Sequence, residues 1–307
     1  MILLCGIPTE PPLAMVREAL AELNAPTLVF NQRHFANTHF AFTLAQGRVT
    51  GSLTIDKEQY DLENIDGAYL RLMDEQALPE LSRLPTQSPE RQRCRRLHDA
   101  LLRWQEITPA RVVNRLRPMG SNSSKPYQAQ LIARHGFAIP ETLITNDPAL
   151  AQEFYVQHRR VIYKSISGVR SIVQELTPDD TDRLEQIRWC PTQFQAFVDG
   201  INVRVHVVGQ EVFATKILSD VTDYRYARRQ GGESELSAVE LDDDLAEQCV
   251  RLAAALELPF AGIDLKITPT DEVFCFEVNP SPGFSYFENN TGQPIARAVA
   301  RYLSGNG

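Results

Sequence analysis

Apolar residues run almost unbroken through ILLCGI (2–7) and TLVFN (27–31), while LAMVREALAELN (13–24) between them repeats its apolar positions every three or four residues. Continuous apolar runs suit strands buried on both faces, and the three-to-four spacing suits a helix with one buried side. Strand, helix and strand in that order predict a parallel sheet. The turn after the first strand carries prolines where a dinucleotide site would carry Gly-x-Gly-x-x-Gly, so a nicotinamide-binding unit is not expected. Strict alternation then takes over in FAFTLAQGRVTGSLTI (40–55), with the glycine of AQGR marking a hairpin, and in IDGAYLRL (65–72).

A proline-punctuated loop (78–90) precedes a long helix, 91–106, whose RQRCRR run reads as a solvated face. VVNR (112–115) closes this unit as a strand, and RPMGSNSSKP (117–126) has the composition of a linker, which puts the first boundary near residue 114. Beyond it come a helix ending at Gly136, an extended IPETLIT, a helix at 147–158, a strand RVIYKSI (160–166), a turn at SGVRS and a strand SIVQEL (171–176). A third unit holds QFQAFV (193–198), NVRVHVVG, EVFATKIL, a helix at 245–258, the pair AGIDLKIT and VFCFEVN, and a last helix at 293–303. The expected organisation is a βαβ domain at 1–113, a small α+β unit at 114–192 and a larger α+β unit at 193–307.

At 307 residues the chain can form two or three packed units. Its 31 basic and 39 acidic side chains give a net charge of −8, which leaves no general attraction for nucleic acid or an anionic membrane. The five cysteines are odd in number, scattered and never spaced Cys-x-x-Cys, so neither a disulfide framework nor a zinc site is expected and a reducing, cytoplasmic setting fits. The apolar run that opens the chain is too short for a signal peptide or a membrane span.

The strongest chemical signal is FEVNPSPGF (276–284). Glu277 and Asn279 are two apart on a strand and share a face, offering hard oxygen donors of the kind magnesium takes alongside nucleotide phosphates. Asp264, in the strand expected to pair with this one, can meet them across an antiparallel register. Lys164 lies inside an apolar strand, where a lysine is unusual unless it is paired or its amine reaches out, and a short Ser/Gly loop follows it. Lys125 opens a helix, where a cation is disfavoured unless an anion compensates. Arg204, within an alternating strand, and Arg225, in DVTDYRYARRQGG, are candidate binders of carboxylate or phosphate. His206 has no Ser or Cys partner in a recognised motif and reads as structural.

Taken in order and at their spacing, N-x-SKP-x-Q, GFAIPETLIT, VIYKS, QFQAFVDGINVRVHVVG, DYR with a downstream GG, GIDLK and FEVNPSPGF resemble the ATP-grasp superfamily over residues 114 to 303. Within it they resemble the RimK-like glutamate ligases and related peptide-modifying ligases. The resemblance implies an N-terminal pre-grasp domain followed by two α+β subdomains clasping ATP. Lys125 and Lys164 would then meet the phosphates, Gln195, Ala196, Phe197 and Val198 the adenine, and Asn202 the ribose. Asp264, Glu277 and Asn279 match the magnesium ligands, with manganese as a substitute, and Arg204 and Arg225 match arginines near the transferred phosphate and the acyl substrate. Ala196 stands where many relatives carry Glu, Asn202 where an acidic residue is common, and the loop after Lys164 is poorer in glycine than in glutamate ligases.

The expected activity is therefore ATP-dependent joining of a carboxylate to an amine through an acyl phosphate, on a peptide, protein or amino acid, by a monomer or a homo-oligomer. A phosphotransferase, or a nucleotide-gated binding protein without turnover, are the alternatives on the same scaffold. Specificity is expected in the first domain, in loop 218–235, and after Gly283, where Ser285, Phe287 and Glu288 could line the substrate side.

Overall fold

The computed structural model of the protein describes residues 1–165, 173–219 and 234–306. Its first strand, β1 (Ile2–Gly6), is buried at every position, as an unbroken apolar run in the middle of a sheet should be. It pairs in parallel with β2 (Thr27–Asn31), reached through helix α1 (Pro11–Glu22). Next comes an antiparallel sheet of three strands, β3 (Thr38–Ala45), β4 (Arg48–Ile55) and β5 (Glu58–Asp61). Gln46 and Gly47, at φ 51° and 74°, form the two-residue turn that the AQGR glycine predicts. β5 has only four residues and little apolar alternation, so the sequence pattern passes over it.

β6 (Gly67–Arg71) then pairs in parallel with the other side of β1. Helix α2 (Pro89–Ile107) crosses to β7 (Arg111–Val113), giving the order β2-β1-β6-β7. Ser88 accepts a hydrogen bond from the Arg91 amide at 3.3 Å, and Pro89 opens the helix at a position that needs no N–H donor. The basic run on α2 departs from the solvated face that its composition suggests. Arg91 is buried and shares Glu75 with Arg95, while Arg93 donates to the carbonyls of Ala36 and Thr38. Hydrogen bonds from Arg95 first, and then from Arg91, hold the Glu75 carboxyl down at about 2.

The stretch expected to be a linker holds short helix α3 (Leu116–Met119) and the start of α4 (Lys125–Arg134). An antiparallel sheet of order β10-β9-β11-β8 follows, built from β8 (Thr142–Thr145), β9 (Val161–Ser165), β10 (Gln174–Glu175) and β11 (Thr192–Ala196). It packs on α5 (Pro148–His158) and on 3-10 turns over Pro178–Trp189, a segment without clear periodicity.

The last sheet runs β14-β13-β12-β15-β16 and is antiparallel throughout: β12 (Ile201–Val208), β13 (Glu211–Ser219), β14 (Ser234–Val239), β15 (Phe260–Ile267) and β16 (Val273–Asn279). Helix α6 (Asp243–Ala255) covers its back with Leu245, Cys249, Leu252 and Ala253, the helical spacing the sequence shows. Asp242 caps it, accepting from the Leu245 amide at 2.8 Å. Helices α7 (Ser285–Thr291) and α8 (Ile295–Ser304) return the chain to its beginning. One continuous core joins Ile295, Val299 and Leu303 of α8 to Leu4, Leu13, Leu20 and Tyr69 of the first domain. Asn114 reinforces this junction, donating to the carbonyls of Phe260 and Pro280 and accepting from the Phe260 amide.

Candidate active site

Three residues stand in a row across three neighbouring strands. Arg204 of β12 lies opposite Asp264 of β15, which lies opposite Glu277 of β16. Directly opposed residues in an antiparallel sheet project to the same face, so the register alone brings a guanidinium and two carboxylates together. Arg204 Nη1 donates to Asp264 Oδ1 at 2.7 Å. At the other end of the row the Lys125 amine contacts Glu277 Oε1 and donates to Asn122 Oδ1 at 2.7 Å. The anion expected beside a lysine at a helix N-terminus is thus Glu277. Helix α4 is fixed to the sheet by Gln128, whose side-chain amide donates to the Val278 carbonyl at 2.8 Å and accepts from its N–H at 3.0 Å.

Asn279 sits opposite Gly262, and its Oδ1 accepts from the Ser281 amide at 2.9 Å. Gly262 is itself part of the site. A Cβ there would lie 2.1 Å from Arg204 Nη2 and 2.8 Å from Pro282, so only glycine lets the guanidinium lie across the strand. Asp264 and Glu277, with the Asn279 amide two residues on, offer oxygen donors alone at one end of a sheet, and this donor set suits magnesium.

The row borders a cleft between the two antiparallel sheets. Cavities of about 130 and 550 Å³ adjoin there, sharing Lys164, Gln195 and Phe276 as walls, and the larger is within the range of small-molecule pockets. Lys164 of β9 pairs with Gln193 of β11 and lines both cavities. Gln195 is buried. Its amide donates to Thr142 Oγ1 at 3.1 Å, but its Oε1 has no partner among the described residues. A buried acceptor on a pocket wall is costly unless a ligand donor reaches it, and the exocyclic amine of adenine is one. Phe197, Val198 and Asn202 line the same cavity, whereas Ala196 is not among its walls. The Phe197 ring is held between Arg160, 3.7 Å from its centroid, and Lys266, 5.1 Å away. Lys266 also donates to the Val198 carbonyl at 2.9 Å, and burial lowers its pKa.

Arg225 and most of the loop expected to cover phosphates lie outside the described residues. His206 is fully buried against Phe287 and Phe260, and burial first, then the Arg204 charge, pushes its pKa well down. Of the residues expected after Gly283, Phe287 is buried in the core and Glu288 accepts from the Ala296 amide at the start of α8. Ser285 opens α7. Lys266 and Gly262 border the site without having been read from the sequence, where GIDLK pointed to them only through their neighbour Asp264. Phe276, expected to pack behind Glu277 and Asn279, instead forms a wall of both cavities.

Known structures share this architecture. A RiPP-associated ATP-grasp ligase of Chryseobacterium gregarium, in complex with ADP and a leader and core peptide, superposes with a TM-score of 0.84 at 22% identity, covering 100% of this chain and 97% of that one. The ATP-grasp ligase PsnB, complexed with minimal precursor, Mg and ADP, gives 0.78 at 28% identity over 99% and 96%. The fold is therefore that of the ATP-grasp ligases. The chain belongs to the RimK-like ATP-grasp family, whose domain model matches residues 122–303. A probable alpha-L-glutamate ligase of Rhodopirellula baltica is 30% identical over 199 residues, 60% of this chain and 48% of that protein, so the match spans about half the relative's length. One of Alkalilimnicola ehrlichii is 26% identical over 218 residues, 67% and 71% of the two chains. The class these relatives define is that of ATP-dependent carboxylate–amine ligases, and it favours neither a phosphotransferase nor a binding protein without turnover. Among the described residues no helix is long and apolar enough to cross a membrane.

Proposed function

We propose that this protein joins a carboxylate to an amine on a peptide substrate, using ATP and passing through an acyl phosphate. The observation that carries the reading is the row Arg204–Asp264–Glu277, flanked by Lys125 and set at the mouth of a cleft with an unsatisfied acceptor on Gln195. The peptide class is supported by the complexes of PsnB with its precursor, at 27–28% identity.

In this reading Gln195, Phe197, Val198 and Asn202 hold the nucleoside, with Ala196 contributing backbone alone. Lys125 and Lys164 meet the phosphates. Asp264, Glu277 and Asn279 would hold magnesium, which when bound neutralises phosphate charge; manganese, with the same preference for oxygen, should substitute. A carboxylate oxygen of the substrate attacks the terminal phosphorus and ADP leaves with the bond broken. The amine then attacks the acyl carbon, loses a proton and expels inorganic phosphate. Arg204, with Arg225, stabilises the charge that develops on the transferred group. Catalysis of this kind is mainly positioning and charge neutralisation.

The division at 113/114 and 192/193 is our working domain scheme; the separate core under the β8–β11 sheet supports a distinct central unit, to which β11 through Ala196 also belongs because Phe194 packs in that core. The free cysteines, four buried and Cys190 exposed, suit a reducing compartment, and we place the reaction in the cytoplasm.

The test is incubation with ATP, magnesium, hydroxylamine and a panel of glutamate- and aspartate-bearing peptides. Hydroxamate formed together with ADP is the expected product. A stable phosphomonoester, or ATP turnover indifferent to every carboxylate, would overturn the reading.

A further inference from the structure

The order β2-β1-β6-β7 reverses direction between β1 and β6: from β1 the chain moves outward to β2 on one side and later to β6 on the other. In open parallel sheets such a reversal leaves a crevice at the carboxyl ends of the two strands, and ligands settle there. Here those ends are Gly6 and Arg71, paired in register. Gly6, at φ 152°, leaves room that a Cβ would fill, 2.8 Å from the Arg71 carbonyl.

The crevice contains a built cation. Glu10, just before α1, does not cap its own helix, and its carboxylate instead takes the Arg71 guanidinium from the side. Arg71 Nε donates to its two oxygens at 2.9 and 2.8 Å, and Nη2 donates to Oε1 at 2.6 Å. That clamp fixes the plane of the guanidinium and turns its far edge outward, where Nη1 donates to Ser281 Oγ at 3.2 Å and to the Tyr69 hydroxyl at 3.4 Å. Ser281 is exposed and is tied through its amide to Asn279, a residue of the proposed metal site. The first domain therefore reaches the turn that directly follows the proposed metal residues.

We propose that Arg71, oriented by Glu10 and working with the Ser281 hydroxyl, binds the carboxylate of the acyl substrate and so sets which acids are activated. The second Nη2 N–H, together with the Nη1 N–H now directed at Ser281, complements the two oxygens of a carboxylate beside the serine hydroxyl, whereas a lysine could offer only a point charge. Arg71 is 13% exposed in its side chain, so little solvent competes for that edge. This inference rests on the ligase reading above.

Hydroxamate formation with a peptide from the panel tests it, with the carboxylate and ATP varied separately. Arg71→Met should raise the KM for the peptide about 10–100-fold, the value of a lost hydrogen bond to a charged group. Affinity for magnesium–ADP, read with a fluorescent analogue, should stay within about twofold of wild type by the same reasoning, since no nucleotide contact is removed. Arg71→Lys should recover only part of the loss, and Glu10→Gln should produce a smaller rise. An unchanged peptide KM in folded Arg71→Met overturns the inference and leaves the ligase reading intact. Should Arg71→Met not fold, the exposed Ser281→Ala decides: a raised peptide KM supports the inference, and an unchanged one overturns it. A wild type that makes no hydroxamate from any carboxylate overturns both.

Discussion

Arg204 and Asp264 face each other across adjacent strands, with 2.7 Å between Nη1 and Oδ1, and Gly262 beside them keeps the space over which the guanidinium lies. A single methyl group at Gly262 therefore acts on an arginine 58 positions earlier in the chain. Gly262→Ala should push Arg204 out of line and lower kcat about 10²–10³-fold, as loss of one oriented charge stabiliser does. Magnesium–ADP affinity should change little. Steady-state kinetics alongside nucleotide titration separate the two, and an unaltered kcat would show that Arg204 does not act in the chemical step.

Lys125 bridges helix α4 to Glu277. Lys125→Met should weaken ADP about 10–100-fold, as expected for one hydrogen bond to a charged group. The helix should stay in place, because Gln128 holds it through both polar groups of Val278. Fluorescence titration reads the affinity and circular dichroism the helix. Equal ADP binding by wild type and variant would remove Lys125 from the phosphate site.

Gln195 lines the cleft, and its buried side-chain oxygen has no partner among the described residues. Guanine carries a carbonyl where adenine carries its exocyclic amine, so the oxygen should favour ATP over GTP. Gln195→Leu should erode that preference roughly 10-fold, the value of one hydrogen bond that becomes repulsive for the wrong base. Competition between the two nucleotides for the same protein measures it directly.

Glu75 lies between Arg91 and Arg95 and lines neither cavity of the cleft, so its effect is on stability. Its folded pKa of about 2 is below the ordinary 4.5, so the stability it adds is complete above pH 4.5 and lost as the pH falls towards 2. Glu75→Gln should cost about 3–5 kcal/mol at neutral pH by leaving buried Arg91 without a counter-charge. The gap between the two proteins should close on acidification across that window. Thermal melts at pH 7, 4 and 2.5 test this, and a gap independent of pH would point to packing instead.

The sequence exposed what depends on short-range periodicity. Glu277 and Asn279 share a strand face, Asp264 faces them across a hairpin, and period two with an antiparallel register suffices to join them. The buried parallel strand β1 and the amphipathic α6 were legible for the same reason. What stayed hidden depends on distant parts of the chain. The burial of Arg91 and the pairing of Arg95 need Glu75, 16 and 20 residues away, and the crevice at Arg71 needs Glu10 and Ser281, 61 and 210 residues away. Lys266 could not be singled out because its partner, the Phe197 ring, lies 69 residues earlier, just past the end of β11. Arg225 falls outside the described residues and keeps the role its motif suggests as a proposal.

Because α8 completes the core of the first domain, the two ends of the chain share one block of packed side chains with the β12–β16 sheet behind the metal residues. The β8–β11 sheet and α5 have a core of their own. The two ends of the chain are thus structural partners: a cavity opened in α8 would loosen the first domain together with the sheet that carries Asp264 and Glu277.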